Sequence, residues 1–510
     1  MKKLGFSFIV VFSLLVFFNG LAKSDDLSDE FEQKLQIEQG SSLEKNKNAV
    51  VKIYSNINIH NWIEPYKMPE NAKIAGSGFF ISGDGYILTN HHVIEGATKV
   101  YINIPSQGKK QFNCEVVGAY PERDVALLKL KEKSLNELKE KMVNIPFLNL
   151  GDSEKLKDSE DLMVLGYPLA SDSIQLSEGI FSGKEKDLFG FETLHTTAPI
   201  NHGNSGGPTI NSKGEVIGIC VSKIEFAEGM GYLIPINEVK NVLEHLFEGQ
   251  IIRYPFWGIV YPEKMNEATI KYLSNGKLDH GVYLQSIIKN SLAEKYGLKN
   301  GDILFELDNL EVDIHGEILV NGEKTSILTY VNKKKFGDSI TFTVLRNDQE
   351  LTLNCVKESG NEYNNLKKIL PSLDEKIDYE IIDGIVIIPL SGNHIEVAGD
   401  IFYLVGTSFT EFIWKDYRPF LIMTHALPDS EATESSFLEQ SRILSKVNGQ
   451  RVDNLEDLRT VVKKSIEDND EYLILENHVG GIIAIPVEKV VESYNDLSNL
   501  GVNFSSPIFE

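Results

Sequence analysis

Three short stretches of this chain carry residues that could do chemistry together. "INHGNSGGPTI", residues 200–210, sets Ser205 among Gly203, Gly206 and Gly207. Glycine costs folding entropy and is kept where backbone bends tightly or approaches something closely. Such a loop suits a nucleophile whose neighbouring N–H groups aim at a substrate oxygen; it suits an ordinary hairpin turn equally well. A serine hydroxyl attacks poorly until a base removes its proton, and the base must itself be oriented. "GDGYILTNHHVIEGA" places His91 and His92 directly after a strand-like run, and "YPERDVALLKL" places Asp124 where a turn enters the next one. The order His, Asp, Ser is one of three chain orders in which this constellation recurs. In it the imidazole takes the serine proton and passes it to the leaving amine, while the carboxylate fixes the imidazole tautomer. Taken singly, each piece is ordinary: a histidine at a strand end is usually structural, and an aspartate at a turn usually satisfies local N–H groups.

The elements around these residues are short. From about Val50 to Pro235 the chain alternates β-type runs with turn signals, among them "VVKIYS", "GSGFFIS", "GYILTN", "VALLKL", "EVIGICV" and "GYLIPI". Many short strands at close spacing predict an all-β barrel or sandwich. "NEVKNVLEHLFEG" follows with apolar residues at helical spacing and a glycine to end it. A second block, Tyr254 to Glu358, holds the helix-like "SLAEKYG" and a hairpin turn at "RNDQ". A third, about 375–490, holds strands in "IIDGIVIIPL" and a helix in "NLEDLRTVVKKS". "GDILFELDNLEV" in the second block has a counterpart, "SRILSKVNGQRV", in the third, which points to two copies of one small module.

The whole chain sets the frame. Its 510 residues are too many for one core and fit about three domains. A formal charge of −24 argues against a general nucleic-acid binder, which needs basic patches. "MKKLGFSFIVVFSLLVFFNGLAKS" has two lysines, an apolar run and small residues at Gly20 and Ala22, as in a secretory signal peptide cleaved after Ala22. The rival reading is an uncleaved membrane tether. No cysteine follows the run, which argues against a lipoprotein, and the short start suggests a bacterial periplasmic or extracellular destination. Of the three cysteines, Cys114, Cys220 and Cys355, the odd count leaves at least one thiol free; Cys220 and Cys355 lie in strand-like apolar runs and read as buried free thiols, with a disulfide as the alternative. No set of residues has metal-ligand spacing, and no cofactor motif is present.

Together "TNHHV", "RDVALL" and "GNSGGP" resemble the HtrA/Deg family of trypsin-fold serine proteases. The resemblance extends to "GSGFFIS" before the histidine loop, to "GDSEKLKDSEDLMVLGYPL" and to "GYLIPIN". It implies a mainly β protein, with a trypsin-like double β-barrel followed by two PDZ-like α+β modules. The implied division is a signal peptide at 1–22, a flexible lead-in at 23–45, the protease domain at 46–248, a first PDZ domain at 254–358, a divergent second at 372–490 and a tail at 491–510. The long insertion after Val312 and the divergent third block look most like the plant Deg branch. The family's base follows Thr-Asn and one variable residue, which maps catalysis onto His92, Asp124 and Ser205 and leaves His91 as a loop residue. Gly203 and Ser205 would supply the oxyanion N–H groups, with Gly206 and Gly207 leaving room for substrate backbone. "FWGI" looks like a PDZ carboxylate-binding loop, so the backbone of Trp257, Gly258 and Ile259 would hold a peptide C-terminus. The third block lacks a clear counterpart of that loop.

The chain departs from the family at "TTAPIN", where an Asp is usual at the position of Thr197, and at His202, which reads as a rim residue. Asn204 cannot make the ion pair that activates clipped zymogens. No acid stands near the expected pocket floor, and Ile200 and Ile219 suggest a preference for small aliphatic side chains. The implied function is ATP-independent endoproteolysis of misfolded exported proteins within a trimer-based homo-oligomer. The alternative is a holdase or PDZ peptide-binding scaffold with little proteolysis.

Overall fold

The computed structural model describes residues 46–168, 171–186, 190–221, 231–261, 265–360, 367–373, 375–397, 419–497, 502 and 504–509. The expected signal peptide at 1–22 and the whole lead-in at 23–45 lie outside these residues, as does part of the tail.

Six strands, β1 (Val50–Ile59), β2 (Glu70–Phe80), β3 (Tyr86–Thr89), β4 (Ala97–Asn103), β5 (Phe112–Tyr120) and β6 (Val125–Leu130), close into a barrel in the order β1-β2-β3-β6-β5-β4. A second six-stranded barrel follows: β7 (Asp161–Gly166), β8 (Gln175–Lys186), β9 (Glu192–Thr196), β10 (Pro208–Asn211), β11 (Val216–Val221) and β12 (Gly231–Pro235), in the order β10-β11-β12-β9-β8-β7. Side chains alternate across a strand, so a run apolar at every position must be buried on both faces. "VALLKL" meets that need in β6. Ala126, Leu128 and Leu130 fill the first barrel, while Val125 and Leu127 join the seam between barrels. "VIGICV" does the same in β11, with Ile217 and Cys220 inside the second barrel and Val216 and Ile219 in the seam. Helix α1 (Ile236–Phe247) lays Ile236, Val239, Val242 and Leu246 onto that seam at helical spacing. The chain turns away at Gly249 (φ 82°), as the glycine in the sequence suggests.

The second block contains β13 (Ile259–Val260), β14 (Val282–Tyr283), β15 (Ser286–Ile287), β16 (Ile303–Leu307), β17 (Leu310–Glu311), β18 (Glu317–Val320), β19 (Glu323–Ser326), β20 (Ser339–Arg346) and β21 (Gln349–Val356). Its helix α2 (Ile327–Lys333) is capped by Ser326, whose hydroxyl accepts the Thr329 N–H. The "RNDQ" turn joins β20 to β21 with Asn347 and Asp348 both at positive φ, the geometry of a tight hairpin. The long insertion forms its own hairpin, β18–β19, turning at Asn321–Gly322.

In the third block "IIDGIVIIPL" is two strands, because Asp383-Gly384 (φ 46° and 75°) folds it back on itself. β22 (Glu380–Ile382) pairs with β23 (Ile385–Pro389), and the sheet continues through β24 (Leu421–Ala426), β25 (Ile443–Val447), β27 (Tyr472–Asn477) and β28 (Ile482–Pro486), with β26 (Gln450–Arg451) beside β25. The repeated sequence has one build in both places. β16 turns at Asp308-Asn309 into β17, and β25 turns at Asn448-Gly449 into β26. Helix α3 (Gly392–Val397) follows β23, and helix α4 (Leu455–Glu467) carries Arg459 to Asp378 and Glu380. All three cysteines are buried free thiols.

Candidate active site

β3 ends at Thr89, and the chain enters a single helical turn, His91–Val93. Its partner is the turn Pro121–Arg123, which leaves Asp124 in the left-handed region at φ 53°. Aspartate tolerates that conformation better than most residues because its short side chain bonds locally. Arg123 fastens this turn to the second barrel through Glu238 Oε2 (2.7 Å) and the Glu192 carbonyl (2.8 Å). Asp124 then meets the histidine turn at several points. Its carbonyl accepts Asn90 Nδ2 (2.9 Å) and the His91 N–H (3.1 Å). Its carboxylate takes the His92 N–H on Oδ1 (2.8 Å) and the His92 ring Nδ1 on Oδ2 (2.7 Å). A carboxylate only accepts here, so Nδ1 carries the hydrogen, and in the neutral ring Nε2 keeps the lone pair.

His91 is buried instead. It is 2% exposed, and its Nε2 has no hydrogen-bond partner. Burial lowers its pKa to about 4. His394 in the third block is also fully buried and lowered to about 4 by the same cause. Unfolded, both imidazoles titrate near the ordinary value of about 6.5, so the unfolded chain binds more protons below that pH. Stability is therefore full above pH 6.5 and is lost as pH falls towards 4. Between pH 7 and pH 5 each imidazole should cost about 2 kcal/mol. Urea unfolding at the two pH values measures it, and His91→Phe should remove its share. An unchanged slope in that variant would show that His91 does not contribute.

The serine loop is held by backbone. Asn204 N–H donates to the Asn201 carbonyl (3.0 Å), Gly207 N–H to the Asn204 carbonyl (2.8 Å) and Gly206 N–H to the Cys220 carbonyl (3.0 Å). Ser77 in β2, which the sequence reading passed over, joins this loop to both barrels. Its N–H donates to the Ser205 carbonyl (2.8 Å), its hydroxyl donates to the Gly203 carbonyl (2.6 Å), and the same oxygen accepts the Tyr167 N–H (2.9 Å). The available sign was a small polar residue between two glycines at the apolar end of β2, "GSGFF".

Two expectations need correction. Gly206 and Gly207 do not open space for substrate. A Cβ on Gly206 (φ 82°) would stand 2.2 Å from the Ser77 carbonyl oxygen, and one on Gly207 would stand 2.3 Å from that of Leu165. These glycines let the loop press against the barrels. Ile219 lines no pocket, since it is buried in the seam with Leu165 and Ile234. Ile200 does reach the other flank of the loop, where its side chain packs over Gly231. At the departure "TTAPIN", the Thr197 hydroxyl accepts the Ile180 N–H at 3.0 Å.

His92, His202, Gly203 and Ser205 line one cleft of about 500 Å³, and His91 does not. Ser205 is 4% exposed, and the His92 and Asp124 side chains are each 25% exposed. Asn204 is held by its backbone turn without an ion pair.

In the second block, Trp257 belongs to the core. It is 1% exposed and packs on Phe342. The carbonyls of Phe256, Trp257 and Gly258 accept the N–H groups of Leu292 (3.0 Å), Ala293 (3.1 Å) and Ile288 (2.9 Å). In a trans peptide the next N–H points opposite to the carbonyl. The N–H groups of Trp257, Gly258 and Ile259 therefore face away from these donors. Gly258 (φ 65°) makes the bend, and a Cβ there would meet Ser291 at 2.3 Å.

Residues 76–219 match the trypsin-like peptidase domain family, and residues 264–356 and 370–499 each match a PDZ domain family. A serine protease Do-like HtrA of Bacillus subtilis is 31% identical over 298 residues, covering 54% of this chain and 62% of the relative. A probable periplasmic serine endoprotease, DegP-like, of Marinomonas is 30% identical over 329 residues, covering 61% and 66%. The chain carries a trypsin-like peptidase domain followed by two PDZ domains, and these relatives are named HtrA and DegP-like serine proteases. A putative serine protease HhoB of Synechocystis is 34% identical over 250 residues, 46% of this chain and 57% of that one. The chain thus spans between 57% and 66% of the length of these HtrA/Deg relatives. No helix among the described residues is long and apolar enough to cross a membrane.

Proposed function

We propose that this chain is an ATP-independent serine endopeptidase that cleaves unfolded or damaged exported polypeptides. The observation that carries the reading is the Asp124 carboxylate, which holds both the backbone and the ring of a histidine that shares its cleft with Ser205. His92 Nε2 takes the proton as Ser205 Oγ attacks the scissile carbonyl. The N–H groups of Gly203 and Ser205 receive the oxyanion, an interaction in which each donor is typically worth about 3 kcal/mol. The imidazolium then protonates the leaving amine, and water, activated by the same imidazole, releases the acyl group. Assembly as a trimer-based homo-oligomer and export to the periplasm by residues 1–22 belong to this reading. A fluorophosphonate probe should label Ser205, and casein should be cut by the native chain. Suppression of aggregation without either result would favour the holdase reading.

The first PDZ domain would capture peptides by their free C-terminus, on the N–H groups of Trp257, Gly258 and Ile259, with the peptide added as a strand. Trp257 contributes only its backbone, because its side chain is core. The third block should not bind this way, since β22 already pairs with the edge of β23. On full-length Ser205→Ala protein, a free-acid peptide should bind at least about tenfold more tightly than its amidated twin, as expected for loss of a charge-assisted contact. Equal affinities in titration calorimetry would remove the carboxylate site.

A further inference from the structure

The cleft beside Ser205 is built by two domains. The protease barrel supplies Trp62, Ile74 and Val93, and the segment entering the third block supplies Ile369, Leu370 and Pro371. That segment is fixed in place. The Asn393 side chain takes both backbone groups of Ile369, accepting its N–H at 2.6 Å and donating to its carbonyl at 3.1 Å. The Leu370 N–H donates to Glu375 Oε2 (2.8 Å), and Glu375 pairs with the buried Arg253 (2.8 Å). Lys368 reaches Glu95 on the barrel side of the cleft at 3.3 Å. The barrel's β1–β2 loop is bound to the third block as well, through the Thr424 hydroxyl on the Ile63 carbonyl (2.7 Å) and the edge contact of Trp62 with His394.

The side of the reaction that this cleft serves follows from the geometry. Ile200 and Gly231, on the other flank of the serine loop, are not part of this cleft. The departing nitrogen lies towards His92, and the cleft continues from His92 through Val93 to the third block. We infer that the third block completes an apolar subsite for the residues that follow the scissile bond, so that substrates with aliphatic or aromatic side chains there are selected. This rests on the assignment of Ser205 and His92 made above. The third block is then part of the substrate cleft.

The test uses the full chain and two internally quenched peptides identical on the acyl side, carrying Leu-Leu or Asp-Asp after the scissile bond. A peptide p-nitroanilide with the same acyl side reports catalysis without those residues. The native chain should favour Leu-Leu by at least about tenfold in kcat/KM, the discrimination that an apolar pocket typically gives. Leu370→Ala and Ile74→Ser should each erode that preference while leaving nitroanilide hydrolysis within about twofold of native. Equal cleavage of the two peptides by the native chain would overturn the inference. So would a Leu370→Ala variant, folded by thermal melt, that slows or speeds all three substrates alike. Loss of fluorophosphonate labelling with no hydrolysis of any substrate would instead count against the nucleophile assignment.

Discussion

Ser205→Ala is expected to lower kcat on casein about a millionfold, the scale seen when a triad nucleophile is lost. The fold should survive. The bonds that place the loop come from the Ser205 carbonyl and from the N–H groups of Asn204, Gly206 and Gly207, all of which alanine retains. Unchanged circular dichroism and melting temperature with abolished hydrolysis is the expected pair of results. Undiminished hydrolysis would falsify the nucleophile assignment. Suppression of client aggregation should persist in the variant if binding and cleavage are separable.

The two adjacent histidines should divide into a kinetic and a structural effect. His92→Ala removes the base and should cost about 10⁴-fold or more in kcat, because proton transfer and the orientation by Asp124 are lost together. Its side chain is partly exposed, so stability should change little. His91→Ala leaves the base in place and keeps the bond from its own N–H to the Asp124 carbonyl. It empties a buried site, for which about 2–4 kcal/mol of lost stability is typical. Activity measured well below the melting temperature should stay within about tenfold of native, since no reacting group is removed. Stopped catalysis in His91→Ala alongside an active His92→Ala would mean that the wrong imidazole was chosen.

What could be read from the sequence was local. "VALLKL" and "VIGICV" declare strands by composition, and the turns at "RNDQ" and after α1 follow from residues that accept positive φ. The resemblance mapped the base onto His92, and His92, unlike His91, lines the cleft beside Ser205. Contacts set by distant parts of the chain were not legible. Ser77 acquires its role only when Tyr167 and Gly203 arrive from 90 and 126 residues away. Ile219 and Ile200 look alike in sequence, yet one falls in the seam and the other beside the serine loop. Trp257 could have been groove or core, and only Phe342 beside it decides the matter. The wall made by Ile369–Pro371 depends on how the third block sits against the barrel, which no local pattern encodes. The Asp383-Gly384 turn is a different case, because that dipeptide between apolar runs is a hairpin signal that was open to reading.

Ser77 has one hydroxyl hydrogen, and the Gly203 carbonyl uses it; the same oxygen receives an N–H from the other barrel. Its position therefore works as a two-input check. The Gly203 carbonyl of the Ser205 loop and the Tyr167 N–H are both tied to strand β2 through that one oxygen. A shift of the barrels by a few tenths of an ångström weakens both bonds together. The serine thus ties the pose of the Ser205 loop to the seating of one barrel against the other.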